Sequence, residues 1–253
     1  MKKTKTEKIL NIILPIITVF TVIAIWEIAA LSMNNSFVLP DVKETAKEFF
    51  KLFISAEFYV SLSMTVLRSV ISFILSFLIA GIFAVLTARY KYAGRIIRPI
   101  IGVTRALPTV AVVLLLLLWT NSFIAPVVVT MLVVLPTAYV NILNSLSSVD
   151  KDVLEACRIY NVSKKNIFFK VELPQITPPL LYAMGSGLSL NIKLMVAAEV
   201  LSSTARSLGN MINLSNYNLE VAKMMALVVV AVIIGMIAEG VFSILSRKAG
   251  KWQ

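Results

Sequence analysis

Six ionisable side chains lie within or beside long apolar stretches of this 253-residue chain: Glu27, Arg68, Arg105, Lys193, Glu199 and Glu239. In hydrocarbon such groups are expensive, so each is a candidate either for work on a solute or for a structural pair. Lys193 falls about mid-depth in its stretch, beside Asn191 and after the small-residue run Gly185-Ser186-Gly187. Its ammonium could attract an anionic solute along a membrane path. The plainer reading, which the sequence favours, is a buried pair with Glu199 or Glu239 that fixes helix packing, because carboxylates of the right sign are at hand. Arg68 and Arg105 are placed to snorkel toward opposite interfaces, and Glu27 and Glu199 fall near outer ends. Gly185, Ser186, Gly187 and Ser189 permit close helix approach, so their stretch is expected to line a dimer interface or a pore. Pro108 and Pro136 suit kinks, where ordinary packing is as natural a role as gating.

Little conventional catalysis is open to this chain. It has no histidine, which removes the commonest general base and metal ligand, and a single cysteine, Cys157. It lacks the Gly-x4-Gly-Lys-Ser/Thr phosphate cradle, so it is expected to bind no ATP and no cofactor, and any ATP and Mg must sit on a partner. An intramembrane enzyme is disfavoured by the same shortages. One reading open to such a chain is a stand-alone secondary transporter or channel using Lys193, Glu199 and Glu239 as a proton relay.

Composition names the solvent that positions these groups. Hydrophobic residues make up 58% of the chain and charged residues 15%, against about 25% charged in an ordinary soluble domain. A net charge of +11 could signal nucleic acid, but the cations cluster at the edges of apolar stretches, as in a polytopic membrane protein. An all-α integral membrane protein of about six helices is therefore expected, as a single domain over 1–253. The spans are read at 9–31, 59–88, 99–119, 123–145, 176–201 and 221–245. The uncharged run from 106 to 149 is too long for one span, and Thr120-Asn121-Ser122 is its natural turn. The first stretch follows Lys2, Lys3, Lys5 and Lys8 as a signal peptide would. Its length, Trp26-Glu27 and the absence of a clean cleavage site favour a retained helix.

Orientation follows from the cations. With the N-terminus inside, sixteen Lys/Arg fall in cytoplasmic segments, from Lys2 through Arg89, Lys91, Arg95, Arg98 and the 150–174 loop to Lys251. Four fall outside: Lys43, Lys47, Lys51 and Arg206. Both termini are expected in the cytoplasm. Residues 41–55 read as a helix opening at Asp41, with Phe49, Phe50, Leu52 and Phe53 as its apolar face, packed on the bundle or lying at the membrane surface. Residues 202–220 read as a polar re-entrant or surface loop punctuated by Gly209.

The loop 150–174, DKDVLEACRIYNVSKKNIFFKVELP, carries the strongest signal. Asp150 or Asp152 can cap a short helix with acids in its first turn. Val153, Leu154, Ala156, Cys157 and Tyr160 form one apolar face. Asn161 tolerates the left-handed conformation that ends helices, Ser163 can cap another turn, and Pro174 suits the start of the next span. A short amphipathic helix braced between two spans can pass a rigid-body push from a soluble partner to the membrane helices.

This loop resembles the EAA motif of bacterial ABC importer permeases: Glu-Ala-Ala, three residues, Gly, nine residues, Ile-x-Leu-Pro. Glu155, Ala156, Cys157, Asn161, Val171, Leu173 and Pro174 stand at the matching positions, with Cys157, Asn161 and Val171 as mild departures. Residues 37–253 are similar to the sulfonate, taurine and nitrate branch of these permeases. The supporting stretches are Phe37-Val38-Leu39-Pro40, Arg105-Ala106-Leu107-Pro108, Ser148-Val149-Asp150, Val196-Ala197-Ala198-Glu199 and Ser207-Leu208-Gly209. The resemblance implies a type I importer permease fold in the bacterial cytoplasmic membrane. It further implies a second permease copy, a cytoplasmic ATPase docked on the loop 149–174, and an extracytoplasmic solute-binding protein. Glu155, Ala156, Cys157, Arg158, Tyr160, Asn161, Leu173 and Pro174 would serve coupling. Lys193, Asn191, Glu199, Glu239 and Arg105 remain candidates for the path or for intramembrane pairing. The solute would be a small anion such as a sulfonate or nitrate, or a vitamin precursor.

Overall fold

The computed structural model describes residues 5–33 and 35–250, all helix and connector, with no strand among them. Lys2, Lys3 and Lys251 of the charge count lie outside the described residues, as do the side chains of Lys5, Lys8 and Lys151. Among the described residues five helices are long and apolar enough to cross a membrane, or six if a bent pair is counted as one span. In chain order they are α1 (Lys5–Met33), α3 (Ala56–Arg89), the pair α4 (Lys91–Ala106) and α5 (Thr109–Trp119), α6 (Ile124–Ser147), α9 (Leu173–Ser202) and α11 (Val221–Ala249). Shorter elements are α2 (Val42–Leu52), α7 (Lys151–Ile159), α8 (Lys164–Ile167) and α10 (Leu208–Tyr217), with a π-helical turn at Phe168–Glu172 joining α8 to α9.

The expected third span is the main departure. Instead of one helix over 99–119, α4 and α5 meet at a 94° bend. Pro108 cannot donate a backbone hydrogen bond and forces its predecessor out of helical geometry; Leu107 accordingly sits at φ −66, ψ 127. At 1.5 Å per residue α5 is only about 16 Å long and cannot cross hydrocarbon alone. It packs through Val113 on Val129 of α6 and Ala198 of α9, which covers the broken backbone with protein. The turn before α6 matches expectation: Asn121 Oδ1 accepts from the amides of Phe123 and Ile124 at 3.0 and 2.9 Å.

Residues 41–55 form a connector packed on the bundle. Asp41 accepts from the Glu44 amide and starts α2. Leu52 is buried and Phe49 packs on the same cluster, whereas Phe50 is exposed and drops out of the expected apolar face. The segment before α2 is pinned to α1: Trp26 Nε1 donates to the Pro40 carbonyl at 3.1 Å, and Glu27 Oε2 accepts from the Val42 amide at 2.9 Å. Glu27 is thus a helix cap. Residues 202–220 are no loop either. Ser207 accepts from the Asn210 amide and opens α10, which buries Leu208, Met211 and Ile212.

Helix α9 is the axis of the molecule, touching α3, α5, α6, α10 and α11. At its crossing with α11, a Cβ on Gly185 would lie 2.7 Å from Phe242 Cβ and 3.3 Å from the Glu239 carbonyl oxygen. Near the α10 end, Phe58, Val196, Leu208, Leu227 and Val230 share one core. Near the α7 end, Ala80, Ala84, Ile97, Ile101, Leu135 and Tyr139 share another. Gly185→Val should therefore lower stability by about 1–3 kcal/mol through overpacking. Gly240→Ala, with no atom within 4 Å of the new Cβ, should be neutral. Thermal unfolding of the two purified variants in detergent checks the contrast.

Candidate coupling helix and membrane path

Helix α7 forms where the sequence places it. Asp150 caps it, its side chain accepting from the amides of Asp152 and Val153. The other end closes as a Schellman motif: Val162 N–H donates to the Cys157 carbonyl at 2.9 Å and Asn161 N–H to the Arg158 carbonyl at 3.1 Å. Asn161 sits at φ 52, a left-handed position that asparagine tolerates. Ser163 then accepts from the Asn166 amide and caps α8.

The helix stands clear of the bundle. From Asp152 to Ile159 no residue is buried. Glu155, Ala156 and Arg158 are exposed, and Cys157 and Leu154 are half-buried. Ile159 and Tyr160 are 72% and 81% exposed. Ile159 is a coupling candidate that sequence reasoning passed over, because it lies off the face that Val153, Leu154 and Cys157 define. Leu173 is exposed at the start of α9, and Pro174 is half-buried in its first turn. The base of α7 is tied to that turn, since the Asp150 amide donates to Gln175 Oε1 at 2.8 Å. Helix α7 is thus joined to α6 through the chain and to α9 through this bond.

The intramembrane charges sort differently from expectation. Arg68 does not snorkel. It is 2% exposed, and its Nη1 donates to Glu199 Oε1 at 2.8 Å, while Glu199 is fully buried. Its Nη2 donates to the Ala205 carbonyl at 3.3 Å, and its guanidinium lies over the Phe123 ring at 4.7 Å. Glu199 Oε2 accepts from Thr65 Oγ1 at 2.8 Å and from the Gly209 amide at 3.5 Å. Thr65 Oγ1 in turn accepts from the Leu208 amide. Gly209 is a close-approach residue, because a Cβ there would fall 2.4 Å from Glu199 Cβ. Thr204 Oγ1 donates to the Ser122 carbonyl and joins the 120–123 turn to the same assembly. Nothing local announces a pair 131 positions apart; the hint was Arg68 among Thr65, Ser69, Ser72 and Ser76 on one helical face.

Lys193 is exposed, and among the described residues no carboxylate lies within ion-pair distance of it. The expected pair with Glu199 or Glu239 is not formed. Glu199 is taken by Arg68, and Glu239 is half-buried on α11 without an ion pair among the described residues. The stem of Lys193 runs close to Gly235, where a Cβ would lie 3.5 Å from Lys193 Cε. Two residues are about 200° around a helix, so Asn191 faces the opposite way. It is buried against α3, with Oδ1 accepting from Ser72 Oγ at 3.0 Å. Arg105 is exposed in the last turn of α4. The structure thus unites Glu199 with Arg68, and separates Lys193, Asn191, Glu239 and Arg105.

Residues 76–251 match the family described as the binding-protein-dependent transport system inner membrane component. The chain belongs to this family. It is a multi-pass membrane permease of the ABC import systems, a non-catalytic component whose family implies an ATPase and a binding protein as partners. Over 236 residues it is 26% identical to SsuC of Bacillus subtilis (strain 168), a permease assigned to aliphatic sulfonates, covering 92% of this chain and 84% of that one. Over 144 residues it is 27% identical to ProW of Escherichia coli (strain K12), a glycine betaine/proline betaine permease, covering 56% and 41%. Among solved structures it is similar to an amino acid ABC transporter, with a TM-score of 0.63, 17% identity, and coverage of 80% of this chain and 96% of that one. An inward-facing MetNI methionine transporter gives a TM-score of 0.61 at 19% identity, with 75% and 94% covered. At these identities the structural likeness is one of fold.

Removing one member of a buried ion pair strands the other, at a cost of about 3–5 kcal/mol. Arg68→Met and Glu199→Met should each destabilise the purified permease on that scale, and the double variant should lose less than the sum. Strictly additive losses in thermal unfolding would show that the pair does not couple α3 to α9.

Proposed function

We propose that this permease forms half of the membrane path of an ATP-driven importer, takes its drive through α7, and conducts a small anion. The observation that carries the coupling is α7 itself: capped at both ends, tied to α9 through Gln175, and presenting Glu155, Arg158, Ile159 and Tyr160 to solvent. A helix with an unspent apolar and charged surface is built to be covered. The cytoplasmic ATPase that the family implies, with ATP and Mg on that subunit, is the occupant proposed here. The excess of cations at the α7 end supports a cytoplasmic position for that end and for both termini. A solute-binding protein would then approach the α10 end.

The anion rests on Lys193 and on the relatives' assignment to aliphatic sulfonates. Helix α9 is packed on five neighbours, yet Tyr182, Leu190, Lys193, Ala197 and Leu201 run along one exposed stripe. An unpaired ammonium at mid-depth cannot face lipid cheaply. The stripe is read as facing a water-filled path closed by a second copy of the permease, with Lys193 as its fixed positive charge. A proton relay through Glu199 is disfavoured, because that carboxylate is engaged by Arg68, Thr65 and the Gly209 amide.

Two variants test the two halves separately in vesicles containing the assembled transporter. Lys193→Met should cut uptake of an alkanesulfonate by about ten- to a hundredfold, the scale of one charge-assisted contact, while the ATPase stays bound. Lys193→Arg should retain most uptake. Normal transport by the methionine variant would remove Lys193 from the path. Charge reversal at Glu155 with Tyr160→Ala should release the ATPase from the purified complex, and undiminished co-purification would refute the coupling role.

A further inference from the structure

Where α3 gives way to α4 at Tyr90, a cavity of about 560 Å³ opens, lined by Thr87, Lys91, Gly94, Arg95, Arg98 and Pro99. Three of these residues are cations and none is an anion. Among the described residues none of the three cations forms an ion pair. The cavity is shaped by the close approach of the two helices: a Cβ on Gly94 would lie 3.2 Å from Thr87 Cγ2 and 4.0 Å from Arg98 Nε. Thr87 is held in place by Tyr139 of α6, whose Oη donates to Thr87 Oγ1 at 3.0 Å.

Three stripes run along α4. Gly94, Ile97 and Ile101 are buried against the bundle. Tyr92, Ile96, Ile100 and Val103 are exposed and apolar. Lys91, Arg95 and Arg98 recur at i, i+4 and i+7, on one side of the helix. The Arg95 guanidinium lies over the Tyr92 ring at 5.5 Å, so the basic and apolar stripes adjoin. A helix with an outward apolar stripe beside a basic one has the pattern of an element lying at the boundary between acyl chains and headgroups.

We propose that this cavity binds the phosphate headgroup of an anionic phospholipid, with the acyl chains running along Ile96, Ile100 and Val103. Guanidinium forks match phosphate oxygens, and basic pockets beside membrane helices are suited to anionic headgroups. The apolar stripe decides between sources of the anion. A free phosphate would use the cations alone, and an acidic protein surface would have no need of isoleucines along the same helix. A headgroup held here would also fix the depth of α4, and with it the 94° bend that sets α5 against α9.

The test is native mass spectrometry of the permease purified with its ATPase subunit and titrated with phosphatidylglycerol, phosphatidylcholine or inorganic phosphate. Wild-type permease should retain phosphatidylglycerol where phosphatidylcholine has been stripped, and millimolar inorganic phosphate should not displace it. The K91Q/R95Q/R98Q variant should lose this retention by at least about tenfold. Arg98→Gln alone should give a smaller loss in the same direction, which guards against misfolding of the triple variant. Removing two cations elsewhere at the same end, by Arg247→Gln with Lys248→Gln, should change nothing. The proposal is overturned by equal retention in the triple variant, by an equal loss in the Arg247/Lys248 control, or by retention of phosphatidylcholine. Displacement by phosphate would reassign the site to a free anion. Loss of the ATPase from the triple variant with lipid retention intact would reassign the cations to the protein partner.

Discussion

Arg68 and Glu199 meet at 2.8 Å in an environment that all but seals them from solvent, and four separate segments take their positions from that contact. In hydrocarbon no water stands ready to satisfy a stray donor or acceptor, so the polar groups must close on one another. They do so here with few parts, Arg68 Nε alone of the pair's polar atoms having no partner among the described residues. Thr65 serves both Glu199 and the Leu208 amide, the Gly209 amide meets the same carboxylate, and Phe123 lies under the guanidinium. Helices α3, α9 and α10 and the turn before α6 are thereby held in one arrangement. The missing side chain of Gly209 is what allows α10 to come so near.

The opposite end of α9 obeys the opposite logic. There α7 turns its polarity outward and buries no residue from Asp152 to Ile159. Helix α7 has its backbone ends satisfied by Asp150 and by the Schellman closure at Asn161. Among the described residues the Asp150–Gln175 hydrogen bond ties its base to the root of α9. A capped projection is joined to α9 at one end and a buried polar cluster at the other. The Lys193 stripe lies between them.

What the sequence disclosed and what it hid divide along sequence separation. The Asp150 cap, the left-handed Asn161, the Asn121 turn and the position of α7 are all written within a few residues, and each stands as read. The spans were legible because about twenty apolar residues leave few alternatives. Three things were not. The 94° break at Pro108 was foreseen as a kink in a continuous span, because a proline announces lost helicity but not the angle that neighbours impose. The role of Glu27 as a cap for α2, and the pairing of Glu199 with Arg68 instead of Lys193, depend on residues far apart in the chain. The Asn/Ser-rich 202–220 segment looked like a loop because its polar groups were counted before their buried partners were known. Lys193 shows the same effect in reverse, since the carboxylates within reach by sequence are not its partners in space.

Cys157 is the chain's single cysteine and stands half-buried on α7, so the coupling assignment can be measured with no engineered label. The decisive quantity is the rate at which a bulky maleimide modifies Cys157 in the isolated permease and in the complex with its ATPase. If α7 is the seat of the ATPase, assembly should slow the reaction severalfold or more, and prior modification should prevent assembly. An unchanged rate, together with normal assembly of the modified permease, would contradict the account at its root.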